Sequence, residues 1–194
     1  GACGGCALQH ADDSFLAVWK ADLVRQALAA RGLDAPIRPS VSSPPGSRRR
    51  VVLSGRRTKR GTLVGFHGRA EASLVPIESC AVADPRLVAA LPLCARLIGL
   101  LGSRKGEVRL ALTVSKAGLD IDVTGQKSLD GPLRAELAAL AAEADVARLS
   151  HAGEPVAVRR PPVQPMGRAQ VVPPPGGFLQ ATPQGEAALV AAVT

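Results

Sequence analysis

The chain has 194 residues, of which 46% are hydrophobic, so it is long enough to bury a sizeable core. Its aromatic content is only 2% and it lacks tyrosine, which argues against a binding surface built mainly from stacked aromatic side chains. The formal net charge of +8 favours a polyanion such as nucleic acid as partner.

No stretch of the sequence resembles a signal peptide or a membrane span, because Arg, Pro or Gly interrupts every long apolar run within about a dozen residues. We therefore expect a cytoplasmic protein that does not enter a membrane. In a reducing compartment, the close pair Cys3 and Cys6 indicates a metal or redox motif and not half of a disulfide framework.

The first predicted helix runs from Asp12 to Arg31. Its apolar residues recur at intervals of three and four, which is the period of a helix, and Gly32 supplies a stop signal. Residues 1–11 precede it as a glycine-rich loop. After it, three prolines and a glycine between Ile37 and Ser47 predict an extended linker.

The linker leads into a strongly basic hairpin. Its predicted strands are Arg50–Arg57 and Thr62–His67, with Gly61 near the turn. Seven cations and no acid fall in this stretch: Arg48, Arg49, Arg50, Arg56, Arg57, Lys59 and Arg60. The stretch is our first candidate for contact with nucleic acid, and a merely solvated basic hairpin explains the charge equally well.

Helices and hairpins alternate along the rest of the chain. A short strand is predicted at Leu74–Ile77, and a helix from Asp84 to Gly102 has a kink or split at Pro92. The remaining predicted elements are strands Val108–Ser115 and Leu119–Thr124, helix Asp130–Ala144, strands Val146–His151, Val156–Arg160 and Ala169–Val172, and helix Thr182–Val193. Because hairpins dominate, this order favours an α+β domain on a mostly antiparallel sheet.

Cys3-Gly4-Gly5-Cys6 is a C-x2-C pair whose glycines let the backbone turn tightly, so that two thiolates can face one metal centre. Its spacing alone leaves the chemistry open. A zinc ribbon needs a second such pair, and Cys80 and Cys94 are too far apart to supply it. A thioredoxin-like site needs a strand before the pair, which the start of this chain does not reveal.

The run CGGCALQHA from Cys3 to Ala11, followed by Trp19-Lys20, resembles the iron-sulfur segment of the RNA 5-methyluridine methyltransferases. Cluster-bearing members of that family have the pattern Cys-x5-Cys-Gly-Gly-Cys and a distant fourth cysteine. Cys3 and Cys6 match its second and third positions, and Cys80 stands where the distant ligand is expected. The resemblance implies a 4Fe-4S cluster whose first ligand would precede Gly1, so this chain cannot complete the site.

The resemblance extends over nearly the whole chain, including Arg104–Gly106 and Leu129–Gly131. Its strongest further motif is Phe178-Leu179-Gln180, because a Phe-x-Gln stands at the entrance of the family's methyltransferase domain. Gln180 matches the glutamine that contacts S-adenosylmethionine there. Many members continue with Val-Asn where this chain has Ala181-Thr182, so the polar contacts after Gln180 differ from the family's pattern.

The resemblance implies three parts: a cluster loop at 1–11, a central RNA-positioning α+β domain at 12–168, and the truncated start of a Rossmann-like α/β methyltransferase domain at 169–194. It also implies an enzyme that uses S-adenosylmethionine to form 5-methyluridine in rRNA or tRNA. We assign no catalytic residue, because the nucleophilic cysteine motif and the glycine-rich cofactor loop are absent. We expect this segment alone to be an inactive monomer.

Two other classes of function stay open from the residues alone. One is a noncatalytic zinc- or RNA-binding module, and the other is a thiol oxidoreductase that uses Cys3 and Cys6. Simpler interpretations also exist for single residues. Cys94, beside Leu93 and Leu97, fits a small buried side chain, and Phe178 fits a core residue.

Overall fold

The computed structural model describes residues 3–125 and 127–194. In chain order its helices and strands are α1 (Asp13–Ala29), β1 (Arg50–Thr58), β2 (Gly61–His67), β3 (Leu74–Pro76), α2 (Pro85–Ala89), α3 (Leu91–Leu101), β4 (Val108–Ser115), β5 (Gly118–Thr124), α4 (Gly131–Glu143), β6 (Arg148–His151), β7 (Glu154–Val158), β8 (Gln164–Met166), β9 (Ala169–Val171) and α5 (Pro183–Val193).

One sheet organises these elements. Its strands follow the order β3-β2-β1-β4-β5-β6-β7, and β8 pairs with β9 in a separate ribbon. Neighbouring strands of the large sheet are antiparallel except β5 and β6, which α4 connects because parallel neighbours need a crossover. The predicted α+β fold on a mostly antiparallel sheet is confirmed.

The hydrophobic core lies between one face of this sheet and helices α2, α3 and α4. Alternate residues of β1, such as Val51 and Leu53, point into it, as the period of two requires. Helix α3 can approach β1 closely because Gly55 has no side chain. A Cβ at that position would lie 2.0 Å from Ile98 Cδ1.

The opposite face of the sheet is polar and also largely buried. Asp120 on β5 and Arg148 on β6 form a two-bond ion pair, with both N–O distances at 2.8 Å and side-chain exposures of 8% and 7%. Arg148 also donates to the Pro173 carbonyl at 2.8 Å, and the Gln164 amide donates to the Val114 carbonyl at 2.8 Å. The chain beyond β7 therefore covers part of this face.

The helix predicted from Asp84 to Gly102 is divided as expected near Pro92: α2 and α3 meet at Ala90, and Pro92 lies in the first turn of α3, where proline costs no hydrogen bond. Several strand boundaries differ from the prediction, and the strand predicted at Val146–His151 begins at Arg148. The strand predicted at Val156–Arg160 starts earlier, at Glu154, because Ala152 and Gly153 have positive φ and form a two-residue turn after β6. Strand β8 was not predicted.

Helix α1 forms where the sequence predicts it, with Asp12 accepting the amide hydrogens of Ser14 and Phe15 at its start. None of its residues is buried, and Phe15 is 58% exposed. The apolar period therefore identified the helix correctly, but its apolar face is not covered by the described residues. The predicted division at residues 11/12 and 168/169 stays a prediction.

Within residues 3–125 and 127–194, the structure contains no helix with both the length and the apolar character that crossing a membrane requires.

Replacing Asp120 with alanine should leave the Arg148 guanidinium buried without its carboxylate partner. We expect the free energy of unfolding to fall by about 3–5 kcal/mol, measured by urea denaturation with circular dichroism. The exposed Asp34→Ala is the control, with an expected change within about 0.5 kcal/mol. Equal effects of the two substitutions would contradict a role for the buried pair.

Candidate cofactor and RNA-binding sites

The cysteine loop is attached to the end of β2. Cys3 forms an isolated antiparallel bridge with Gly68, and the Gly4 amide donates to the His67 carbonyl at 3.0 Å. A Cβ on Gly4 would lie 2.9 Å from the backbone nitrogen of Arg69. The first glycine of the CGGC motif therefore lets the loop lie directly against the backbone that follows β2.

The surroundings of Cys3 and Cys6 suit thiolate ligands. The Gly5 amide donates to Cys3 Sγ at 3.4 Å, and both cysteines line one hollow together with His10 and Arg69. Amide hydrogens directed at cysteine sulfurs are a common feature of iron-sulfur sites.

Cys80 lies in a segment that approaches the same loop. Cys6 lines a second hollow with Ala81 and Val82, the two residues after Cys80, and the Gly46 amide anchors this segment by donating to the Ala81 carbonyl at 2.9 Å. Even so, the part of the chain that the structure describes has no group of three or more Cys, His, Asp or Glu placed to hold a metal ion. Convergence of Cys3, Cys6 and Cys80 stays a prediction.

Cys94 has a different environment. It lies on the inner face of α3 with no exposed surface, and burial raises the pKa of its thiol to about 12. A neutral, inaccessible thiol of this kind packs as a small apolar side chain, as the sequence predicts.

The seven cations predicted to contact RNA separate into two groups. Arg56, Arg57, Lys59 and Arg60 are exposed around the β1–β2 turn, and Arg48 is exposed ahead of β1; the other two, Arg49 and Arg50, turn inward. Five of the seven are therefore placed to meet a polyanion.

Arg49 is the one predicted RNA contact that the structure contradicts. It is only 7% exposed, its Nε–H donates to the Gln180 carbonyl at 3.1 Å, and its guanidinium forms an ion pair with Glu186 on α5. The run of arginines concealed this role, because charge alone does not distinguish a cation that faces solvent from one that pairs with a carboxylate within the fold.

Arg50 is half-buried and lies on the polar face of the sheet. Its Nη2–H donates to the Gly176 carbonyl at 3.2 Å. Burial, and then the positive charge of Arg109, lower the pKa of Arg50. Its contact with RNA stays a prediction, although part of its donor capacity is used within the fold.

Two cations that the charge analysis missed adjoin the hairpin. Arg104 and Lys105 are exposed in the loop after α3, and the Arg57 amide donates to the Ser103 carbonyl at 3.3 Å, which fixes that loop beside the hairpin. Among the described residues, neither of them forms an ion pair. We call the surface formed by Arg56, Arg57, Lys59, Arg60, Arg104 and Lys105 the basic surface.

Gln180 lies between β1 and the start of α5. It is half-buried and lines a hollow with Val41 and Leu189, beside a hydrogen bond of 2.6 Å between the hydroxyls of Ser43 and Thr182. Of the Phe178-Leu179-Gln180 motif, Leu179 is the buried residue. Phe178 is 78% exposed, so its interpretation as a core residue is wrong for the described chain.

Comparison with known proteins gives relatives but no matching family model. The chain is 46% identical to an uncharacterized RNA methyltransferase of Caulobacter vibrioides, over 98% of this chain and 48% of the relative. It is 39% identical to one of Brucella suis, over 98% of this chain and 46% of the relative. It is also 33% identical to the 23S rRNA (uracil(1939)-C(5))-methyltransferase RlmD of Nitrosospira multiformis, over 70% of this chain and 31% of the relative. The chain belongs to the RNA uracil-5 methyltransferase family.

The chain spans about half the length of these Caulobacter and Brucella relatives. A solved structure is also similar, that of the Pyrococcus abyssi tRNA (uracil-54, C5)-methyltransferase in complex with S-adenosyl-L-homocysteine. Its TM-score is 0.65 at 18% identity, covering 99% of this chain and 50% of that one. At this identity, the likeness shows a shared fold.

Thiol labelling tests the different environments of the cysteines. In the metal-free 194-residue chain, we expect a small thiol reagent to modify Cys3, Cys6 and Cys80 under native conditions, and Cys94 only after denaturation. Peptide mass spectrometry identifies each labelled site. Native labelling of Cys94 at the rate of the other three would contradict its burial.

Proposed function

We propose that the full-length protein is an S-adenosylmethionine-dependent methyltransferase that forms 5-methyluridine in rRNA or tRNA. In this proposal, the chain supplies the cluster loop and the RNA-binding surface, and the rest of the protein supplies the catalytic residues. The observation that carries the proposal is the 33% identity to a methyltransferase named for uracil C5 in rRNA, over 70% of this chain.

The basic surface supports the RNA-binding part of the proposal. Its six cations lie at the end of β1, in the β1–β2 turn and in the adjacent loop after α3, and all are exposed. Phosphate contacts of this kind position a nucleic acid without reading its sequence. Sequence selection then has to come from other parts of the protein, in keeping with the low aromatic content of this chain.

The donor set at Cys3, Cys6 and Cys80 fits an iron-sulfur cluster in part. Two thiols share a hollow with an amide donor and a cation, and the segment after the third thiol lines a hollow with Cys6. When bound, such a cluster would link the loop to the sheet and stabilise it. Methyl transfer to uracil requires no electron, so a structural role is sufficient.

Gln180 is the residue of this chain proposed to contact S-adenosylmethionine. Its place beside an open hollow at the start of α5 supports that role, since the cofactor needs access from solvent. The methyl donor supplies the electrophile, whereas the protein orients the two substrates. This chain contributes orientation only.

A noncatalytic zinc- or RNA-binding module is the alternative. The chain matches only about half the length of its relatives, and this would favour such a module only if the chain functions by itself. Zinc would also need more ligands than the pair Cys3 and Cys6, and Cys94 is buried.

Substituting Arg56 and Arg57 with alanine in the full-length protein should weaken RNA binding and reduce its dependence on salt. Each lost phosphate contact lowers the slope of log K against log salt concentration by about 0.7–0.9. The measurement is a filter-binding titration of a uridine-containing RNA stem-loop at several salt concentrations.

The matched control for this titration is Arg134→Ala/Arg159→Ala. It removes the same number of positive charges near β7, which lies at the opposite edge of the sheet from the hairpin. Both arginines donate to backbone carbonyls there. We expect its salt slope to match that of the wild type. Equal reductions in the two variants would mean that net charge, and not the basic surface, governs binding.

Iron content tests the cluster assignment. We expect the anaerobically purified full-length protein to contain iron with acid-labile sulfide, and Cys80→Ala to lose most of both, because a cluster needs its full thiolate set. Cys94→Ala serves as the control and should retain the cluster. Stoichiometric zinc without sulfide would favour the alternative module, and full iron retention in Cys80→Ala would remove Cys80 from the site.

A further inference from the structure

We propose that Arg49 is a positioning residue for the cofactor site, holding the backbone at Gln180 and the first turn of α5 against the sheet. This inference rests on the proposed function, since Gln180 is taken there to contact S-adenosylmethionine. It gives a specific role to an arginine whose charge first suggested contact with RNA.

Arg49 joins three acceptors of the carboxyl-terminal segment at once. Its side-chain Nε–H donates to the Gln180 carbonyl at 3.1 Å, and its guanidinium pairs with the Glu186 carboxylate. Its backbone amide donates to the Ala181 carbonyl at 2.9 Å. The side chain and the backbone of Arg49 therefore hold Gln180, Ala181 and the first turn of α5 together.

The other end of this connection is fixed in the sheet. The Val114 amide, on β4, donates to the Arg49 carbonyl at 2.8 Å. The next residue, Arg50, begins β1 and is in register with Thr113 on β4. Arg49 is therefore part of a rigid, hydrogen-bonded backbone and not of a mobile loop.

Arginine is suited to this arrangement in a way that lysine is not. The planar guanidinium presents several N–H donors in fixed directions, so it can serve a carbonyl and a carboxylate together, whereas an ammonium acts as a point charge. The Arg49 side chain is 9% exposed, against 27% for Glu186, so water competes little for its donors. The pair thus serves as an oriented contact between β1 and α5.

The position of Gln180 should depend on this contact. Gln180 is one of the residues that line the hollow between the linker and α5, and its carbonyl is the acceptor for Arg49. A displacement of the backbone by a fraction of an ångström moves the side chain with it, and cofactor contacts are sensitive to such shifts. The basic surface lies at the opposite end of β1, at residues 56–60, so RNA contacts there should be unaffected.

The test uses the full-length protein with Arg49→Lys, which keeps the charge and removes the fixed fork of donors. We expect the KM for S-adenosylmethionine to rise on the order of 10-fold, the cost of a hydrogen bond to a charged donor. The KM for RNA should stay within about twofold, because phosphate contacts depend on the exposed cations. Arg134→Lys, an equivalent change on the exposed side of α4, is the control and should leave both constants unchanged.

Glu186→Gln provides a milder variant if Arg49→Lys does not fold. It removes the ion pair and leaves both hydrogen bonds to the Gln180 and Ala181 carbonyls. We expect a smaller rise in the KM for S-adenosylmethionine, about threefold, again without a change for RNA. An unchanged value in a folded Glu186→Gln or Arg49→Lys protein overturns the inference.

The failure of this inference differs from the failure of the proposed function. A wild-type protein that neither binds S-adenosylmethionine nor methylates RNA overturns both. A wild type that binds the cofactor, with an Arg49→Lys variant of equal affinity, overturns only the positioning role. The positioning role is also overturned if Arg49→Lys raises both KM values, lowers kcat and lowers the melting temperature. Arg49 would then contribute to the stability of the whole fold and not specifically to the cofactor site.

Discussion

Guanidinium groups that donate to backbone carbonyls join the carboxyl-terminal segment to the sheet. Arg148 donates to Pro173, Arg50 to Gly176 and Arg49 to Gln180, so three arginines attach a run of eight residues at three points. This segment is rich in proline and glycine, and Leu179 is its one fully buried residue. Polar contacts on a buried polar face replace the hydrophobic packing that holds α2, α3 and α4 on the other side.

The periodic patterns of the sequence predicted most of the fold, because burial on one face of the sheet imposes alternation on each strand. Val51 and Leu53 on β1 show it clearly, and the glycines at the turns mark where strands end. The polar face was not predictable in the same way. In the sequence, Asp120 and Arg148 look like solvent-exposed strand residues because both are charged. Only the pairing of β5 with β6 in the structure shows that they form a buried ion pair.

The candidate sites were predictable to the extent that they are local in sequence. The CGGC loop and the exposed end of the hairpin are each contained within about a dozen residues, whereas contributions from distant segments depend on the fold. Arg104 joins the basic surface because the Arg57 amide binds the Ser103 carbonyl. Arg49 leaves that surface because a glutamate 137 residues later neutralises it. Neither relation has a signal in residue spacing or in local charge.

The use of carbonyl acceptors between residues 173 and 181 also has an evolutionary consequence. Every residue carries the same backbone oxygen, so the segment can change its side chains and still be held, whereas the donating arginines cannot be exchanged without loss. Selection should therefore tolerate changes in the side chains of the carbonyl-bearing segment, the tolerant partner, and should conserve the donating arginines. Ala181, which contributes only its carbonyl to the contact with Arg49, lies on the tolerant partner.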